Sequence, residues 1–211
     1  MHGIWRRSEE RFSAALHQLV ERGWAVAMDV LPAWVVHALA EEARRLWHEG
    51  KFRPAGIGRG AGYRVRPEVR GDWILWWDED APTPIQAIYR AEIERLRQTL
   101  NETLFLGLIA FEVHYAVFPP GAFYRRHRDR FLTADERVIS CILYLNPTWG
   151  EDDGGALRIY DPDGTTHDIL PRAGTFVLLR SDAVEHEVQP TRRERFSVTG
   201  WLRRRAREFR M

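Results

Sequence analysis

The stretch FYRRHRDRF, residues 123–131, places His127 and Asp129 two apart within a run of arginines. An imidazole and a carboxylate at that spacing can share a metal ion, or they can belong to a basic surface strip. In a β-strand, side chains alternate between faces, so His127, Asp129 and Phe131 share one face and Arg126, Arg128 and Arg130 the other. The arginines can then be solvated without disturbing a site opposite. Alone the pair is a weak signal, since a histidine at a strand end often only hydrogen-bonds a neighbouring acid. His186, in EHEVQP, adds a third ligand from a later strand. Two imidazoles and one carboxylate on one face of a metal leave positions open, the arrangement that suits a non-haem Fe(II) oxygenase.

Open metal positions need a co-substrate. Arg195 lies nine residues after His186, across the turn QPTRRE, on what should be the next antiparallel strand. Its planar guanidinium can grip a carboxylate through two parallel bonds. Tyr144, in CILYLN, can add a hydroxyl, and Thr199 shares a face with Arg195 by period two. Taken singly, Arg195 reads as a solvated residue of an arginine-rich tail and Tyr144 as core.

The elements that must position these residues are legible from periodicity. Residues 8–22 read as an amphipathic helix capped by Ser8, with Phe12, Ala15, Leu16, Leu19 and Val20 on its apolar stripe and Gly23 as its stop. WAVAMDV, 24–30, is a strand, and Pro32 opens a helix that runs to Gly50. The stretch 53–72, with five glycines, reads as a long loop. WILWW, 73–77, is a strand and 83–102 a second long helix. From residue 110 the period changes to two: FEVHYAVF, YRRHRDRF, RVISCILYLN, GALRIYD, THDIL, TFVLLR, EHEVQP and RFSVTGWLRRR are short strands between turns. The pattern predicts an α+β fold, a barrel or sandwich over about 110–203 covered on one face by helical support from about 1–109. One domain over 1–211 is expected.

Composition bounds the rest. Hydrophobic residues make up 45% of the 211, enough for a sizeable core, and the net charge of +1 points to no particular partner. Cys141 is the single cysteine, so no internal disulfide is possible and a reducing compartment is expected. MHGIWRRSEERF lacks the apolar core of a signal peptide, and the longest apolar run, LFLGLIAF, is too short to span a bilayer. The expectation is a cytoplasmic protein without a membrane partner. The tail WLRRRAREFR could contact phosphate, but a solvated helical tail is the simpler reading, so a nucleic-acid partner is not expected.

The segment from YRRHRD through RVISCILYLNPTW, GGALRIY and HEVQPTRRERFSVTGW resembles the Fe(II)/2-oxoglutarate-dependent prolyl hydroxylases, in particular the animal oxygen-sensing type and its bacterial relatives. The likeness extends back through VRGDWILWW and GWAVAMDVLPAWVVHALAEEARRLWHEGKF, and so covers most of residues 20–203. HEVQP followed by R-x-x-x-T-x-W is its most specific part. The resemblance implies a double-stranded β-helix, or jelly roll, and a dioxygenase that uses Fe(II), 2-oxoglutarate and O₂, with ascorbate as a possible stimulant. It implies hydroxylation of a prolyl residue, at C4, in a protein substrate. By the same resemblance His127, Asp129 and His186 are the iron triad, and Arg195, Tyr144 and Thr199 hold 2-oxoglutarate between the apolar walls Val188 and Ile142. Arg137, Trp201, Trp76, Ile74 and Tyr124 fall where the family lines its substrate groove, and Asp72 is placed to pair with Arg137.

Two departures from the family stand out. Phe118 occupies the place before the proline turn where the family usually has tyrosine, so a hydroxyl is lost or comes from elsewhere, Tyr115 being one source. The loop 53–72 is shorter and richer in glycine, so the target does not transfer with the resemblance. Two other readings stay open: the same chemistry on a free amino acid or other small molecule, favoured by a closed pocket, and an inactive barrel that binds or senses. The intact triad with Arg195 argues against the second.

Overall fold

The computed structural model describes residue 12 and residues 14–58, 62–129 and 136–205. The expected Ser8 cap, Phe131 and the end of the basic tail lie outside them. Helix α1, over 14–22, buries Ala15, Leu16 and Leu19, with Phe12 packed beside them. Val20, assigned to the same stripe, is 62% exposed. It sits about 100° beyond Leu19, at the edge of the stripe where solvent reaches it.

Strand β1 (Trp24–Met28) leads into α2 (Ala33–His48). Pro32 is the residue before the first helical turn, one place earlier than its sequence position suggests, and the helix ends at His48 ahead of Gly50 at φ +68°. The predicted loop holds a two-residue strand, β2 (Arg53–Pro54), and β3 (Trp73–Trp76) follows it. Helix α3 (Pro84–Leu104) opens on a reciprocal cap: Thr83 accepts from the Gln86 backbone N–H, and the Gln86 side chain accepts from the Thr83 N–H. Then come β4 (Leu108–Phe118), β5 (Tyr124–His127), β6 (Arg137–Tyr144), β7 (Leu157–Tyr160), β8 (Thr166–Ile169), β9 (Thr175–Arg180), β10 (Glu185–Val188) and β11 (Arg195–Arg204). Every strand expected beyond residue 110 is present. The tail, expected as a solvated helix, instead begins as the end of β11, where Arg203 pairs with Glu112 and Glu136.

Two antiparallel sheets face each other, in the orders β1-β9-β6-β11-β4-β3-β2 and β5-β10-β7-β8. This is the α+β jelly roll. Alternation gives the large sheet two different faces. Val113, Tyr115, Val117, Ile139, Cys141, Leu143, Val198 and Leu202 pack with the helices in the main core, each such apolar side chain contributing roughly 1.5–3 kcal/mol on burial. Their neighbours Ala116, Phe118, Ile142, Tyr144 and Val177 turn toward the small sheet and pack with Leu157, Ile159 and Val188. The site lies between the sheets, on this second face. No helix among the described residues is long and apolar enough to cross a membrane.

Candidate active site

Strand β10 runs antiparallel to β5 with His186 directly opposite His127, their ring centroids 4.4 Å apart. Asp129 does not continue β5, which ends at His127, but follows two residues later and bends back over the pair. Its Oδ1 lies 3.4 Å from His127 Nε2 and its Oδ2 3.8 Å from His186 Nε2. One ligand atom from each of the three lies within 4.8 Å of the others, a group that could hold a metal ion. Each Nδ1 faces a backbone carbonyl, Arg125 O at 2.7 Å for His127 and Val184 O at 3.2 Å for His186, which leaves Nε2 free on both rings. Burial and the neighbouring His127 push His186 down to about 4, so its ring is neutral and its lone pair is available. Burial works against the Asp129 carboxylate, yet His186, His127 and the Ser140 hydroxyl outweigh it and hold the group well below its ordinary range. Arg126, on the other side of β5, and Arg128, just beyond its end, both reach Glu185, and Arg128 also lines the cavity that holds the triad.

Ser140 was not among the residues singled out in the sequence. It donates to Asp129 Oδ2 at 2.6 Å and meets Ser181 Oγ at 2.9 Å, fixing the carboxylate from behind. Period two could have found it, because Ser140, Ile142 and Tyr144 share one face of β6.

Arg195 is 2% exposed and pairs in register with Phe118 across β11 and β4. Its Nε donates to Gly155 O at 2.8 Å, and its guanidinium lies over the rings of Tyr144 and Phe118 at 4.8 and 5.0 Å. Gly155, at φ +66°, lets the chain pass close: a Cβ there would sit 3.1 Å from Arg195 Cδ. Burial lowers Arg195 from its ordinary range against the pull of Tyr144 and Asp72, and no ion pair holds its guanidinium among the described residues. Tyr144 Oη, kept protonated because burial raises it, faces the Arg195 guanidinium and has no other hydrogen-bond partner among the described residues. A buried guanidinium that no ion pair holds, next to a hydroxyl, suits an anionic ligand. Ile142, Val188, Leu157, Ser197 and Thr199 line the cavity between Arg195 and the triad, with Thr199 in register with Ile142 and 3.2 Å from Ser197.

The cavity opens outward into a groove lined by Ile74, Trp76, Glu112, Arg137, Trp201 and Arg203 from the large sheet and by Gly56, Gly58 and Tyr63 from the 53–72 segment. Arg137 lies 3.5 Å over the Trp201 ring and donates to Glu112 at 2.6 Å. Tyr124 lines the inner cavity, stacked on His127 at 3.5 Å and 18°. The expected Asp72–Arg137 pair is corrected. Asp72 is gripped by Arg70 through two bonds of 2.7 and 2.5 Å, because a bridge from Arg70 to Tyr124 turns the Arg70 side chain back along its own segment. The segment is also less irregular than expected, with Ile57 and Arg64 bonded to each other. A Cβ on Gly56 would sit 2.4 Å from the Tyr63 ring, so glycine is needed for that contact.

Tyr115 does not replace the hydroxyl that Phe118 lacks. It points into the helix-covered core and donates to Glu42 at 2.8 Å, as an odd-numbered neighbour of the site-facing His114 and Ala116 must. His114 itself, on the site face of β4, lines both the cavity and the groove and was likewise missed.

Known proteins share this arrangement. Residues 113–203 match the 2OG-Fe(II) oxygenase superfamily. The chain is 45% identical to a Pseudomonas putida prolyl-4-hydroxylase of known crystal structure, with a TM-score of 0.83 over 92% of this chain and 99% of that one. It is 39% identical to human prolyl hydroxylase EGLN3 over 193 residues, which are 87% of this chain and 79% of the relative. It is 30% identical to the Caenorhabditis elegans hypoxia-inducible factor prolyl hydroxylase over 201 residues, 88% of this chain. The chain spans only 27% of the length of that last relative. By these likenesses over nearly its whole length, the chain belongs to the prolyl hydroxylases of the 2OG-Fe(II) oxygenase superfamily.

Proposed function

We propose that this chain is an Fe(II)- and 2-oxoglutarate-dependent dioxygenase that hydroxylates a prolyl residue, at C4, in a protein substrate. One observation carries the reading: the His127–Asp129–His186 cluster shares a cavity with Arg195, a buried cation that no ion pair holds among the described residues. The donor set suits iron, with two imidazole Nε2 atoms and one carboxylate on one face. The far end of the cavity suits a dicarboxylate, with Arg195 and Tyr144 Oη as its donors and Ile142, Val188 and Leu157 against its carbon chain. Bound together, iron and 2-oxoglutarate supply the oxidation of a C–H bond by O₂, with release of succinate and CO₂.

The remaining work belongs to the chain itself. Ser140 and Ser181 hold Asp129 in place, and the Arg125 and Val184 carbonyls set both imidazoles with Nε2 inward. Tyr124, stacked on His127, walls off one side of the cavity. Trp76 and Trp201, with ring centroids 6.3 Å apart, offer flat apolar faces to a proline ring at the groove. The open groove supports a peptide over a small molecule, which a closed pocket would favour. Strands from both the first and last parts of the chain join in one sheet, which supports reading it as one oxygenase domain. We infer a cytoplasmic location, supported by the lone, buried Cys141.

The test is succinate formation from 2-oxoglutarate by the wild type and by Asp129→Ala. Turnover in the first and none in a folded second is expected. Equal turnover in both would remove the triad from the reaction.

A further inference from the structure

His114 is 2% exposed, and its enclosed Nδ1 has no hydrogen-bond partner among the described residues. Burial, with Arg70 and Arg137 beside it, holds the ring well below its ordinary range, so it is neutral. A neutral imidazole carries one donor and one acceptor; leaving the enclosed Nδ1 unmet is unfavourable, and the ring lines both the cavity and the groove that a ligand would enter. The residue is also fixed at a boundary. It stands opposite Trp76 on β3 and opposite Thr199 on β11, and Thr199 in turn faces Ile142 on β6. This row runs from the outer groove to the 2-oxoglutarate end of the cavity. Its ring lies between two tryptophans, with centroids 4.7 Å from Trp76 and 5.3 Å from Trp201.

We propose that His114 binds the substrate directly, exchanging one hydrogen bond with a backbone amide of the polypeptide that enters past Trp76 and Trp201. Neutrality matches that ligand. A peptide group offers a C=O and an N–H, and a neutral ring can meet either, whereas a charged ring between two arginines would only repel. The two indoles hold the imidazole plane, so the bond is offered in one direction. The proposal rests on the prolyl-peptide reading above.

The experiment uses a library of proline-centred peptides, first screened for hydroxylation by the wild type. For the best peptide, KM in turnover and Kd without O₂ are measured for His114→Leu, His114→Asn and His114→Gln, together with the Kd of 2-oxoglutarate. In His114→Leu both peptide constants should rise about tenfold, well beyond any change for 2-oxoglutarate, and Asn or Gln should recover part of the loss. Unchanged peptide constants would overturn the proposal and leave the ring to solvent. Parallel losses for peptide and 2-oxoglutarate, or no recovery by either amide, would overturn it in favour of packing. A wild type that modifies no peptide would overturn the prolyl-peptide reading and the proposal with it; the other failures leave that reading intact.

Discussion

Ser140 donates to Asp129 at 2.6 Å from the strand beside the triad, so the carboxylate is aimed by a residue that itself binds no metal. Such outer partners typically account for 10- to 100-fold in metal affinity. Ser140→Ala should therefore weaken Fe(II) or Mn(II) binding by about that factor while the fold persists, as read by titration of the metal-free protein. An unchanged affinity would mean Asp129 holds its position unaided.

Arg195→Ala should raise the KM for 2-oxoglutarate about 100-fold or more. The anion would lose the buried guanidinium facing it and two bonds, a loss of roughly 3 kcal/mol or more. Arg195→Lys should recover only part, because an ammonium cannot form the planar fork. An unchanged KM would place the co-substrate elsewhere.

His114 and His186 are both buried as neutral rings, burial being the main cause in each, and His186 is held down to about 4. In the unfolded chain each takes up a proton near its ordinary value of about 6.5. As pH falls below that, the unfolded state binds protons that the folded state refuses, so stability declines and levels off only below the folded values. The slope is at most about 1.4 kcal/mol per pH unit for each ring. Urea midpoints of the metal-free protein should fall between about pH 6.5 and pH 4, less steeply in His114→Leu. A flat profile across that window would contradict the burial of neutral rings.

Asp72 is 3% exposed and meets the fork of Arg70, and the Asp72 carbonyl also accepts from the Ala55 N–H at 2.9 Å. Breaking a buried pair on one side costs about 3–5 kcal/mol. Asp72→Ala should lower the melting temperature and speed hydrogen exchange at Ala55 and Ile57, whereas Arg137→Ala should do neither to the same extent. Equal effects would restore the Asp72–Arg137 connection that the sequence suggested.

Period two explains why so much of the site was legible. It places Ile142 with Tyr144, and Arg195 with Thr199 and Trp201, on the faces where they are found. The same rule reaches Ser140, Ser197 and His114, and it excludes Tyr115; these follow from parity once the strands are known. What parity cannot supply is the path of the chain between strands. Asp129 lies beyond the end of β5, and Arg70, bridged to Tyr124 through its backbone, turns its side chain to Asp72. The fate of the basic tail was hidden for a related reason. Arg203 is drawn into β11 by Glu112 and Glu136, acids that lie far from it in sequence.

The central claim is prolyl hydroxylation, and mass spectrometry tests it most directly. A lysate of the source organism is incubated with the protein, Fe(II) and 2-oxoglutarate, with Asp129→Ala as control. One or a few proteins should gain a single oxygen atom on a proline, at C4, in the wild-type sample only. Consumption of 2-oxoglutarate with no oxygen gained on any proline, or with oxygen found only on free small molecules, would contradict it.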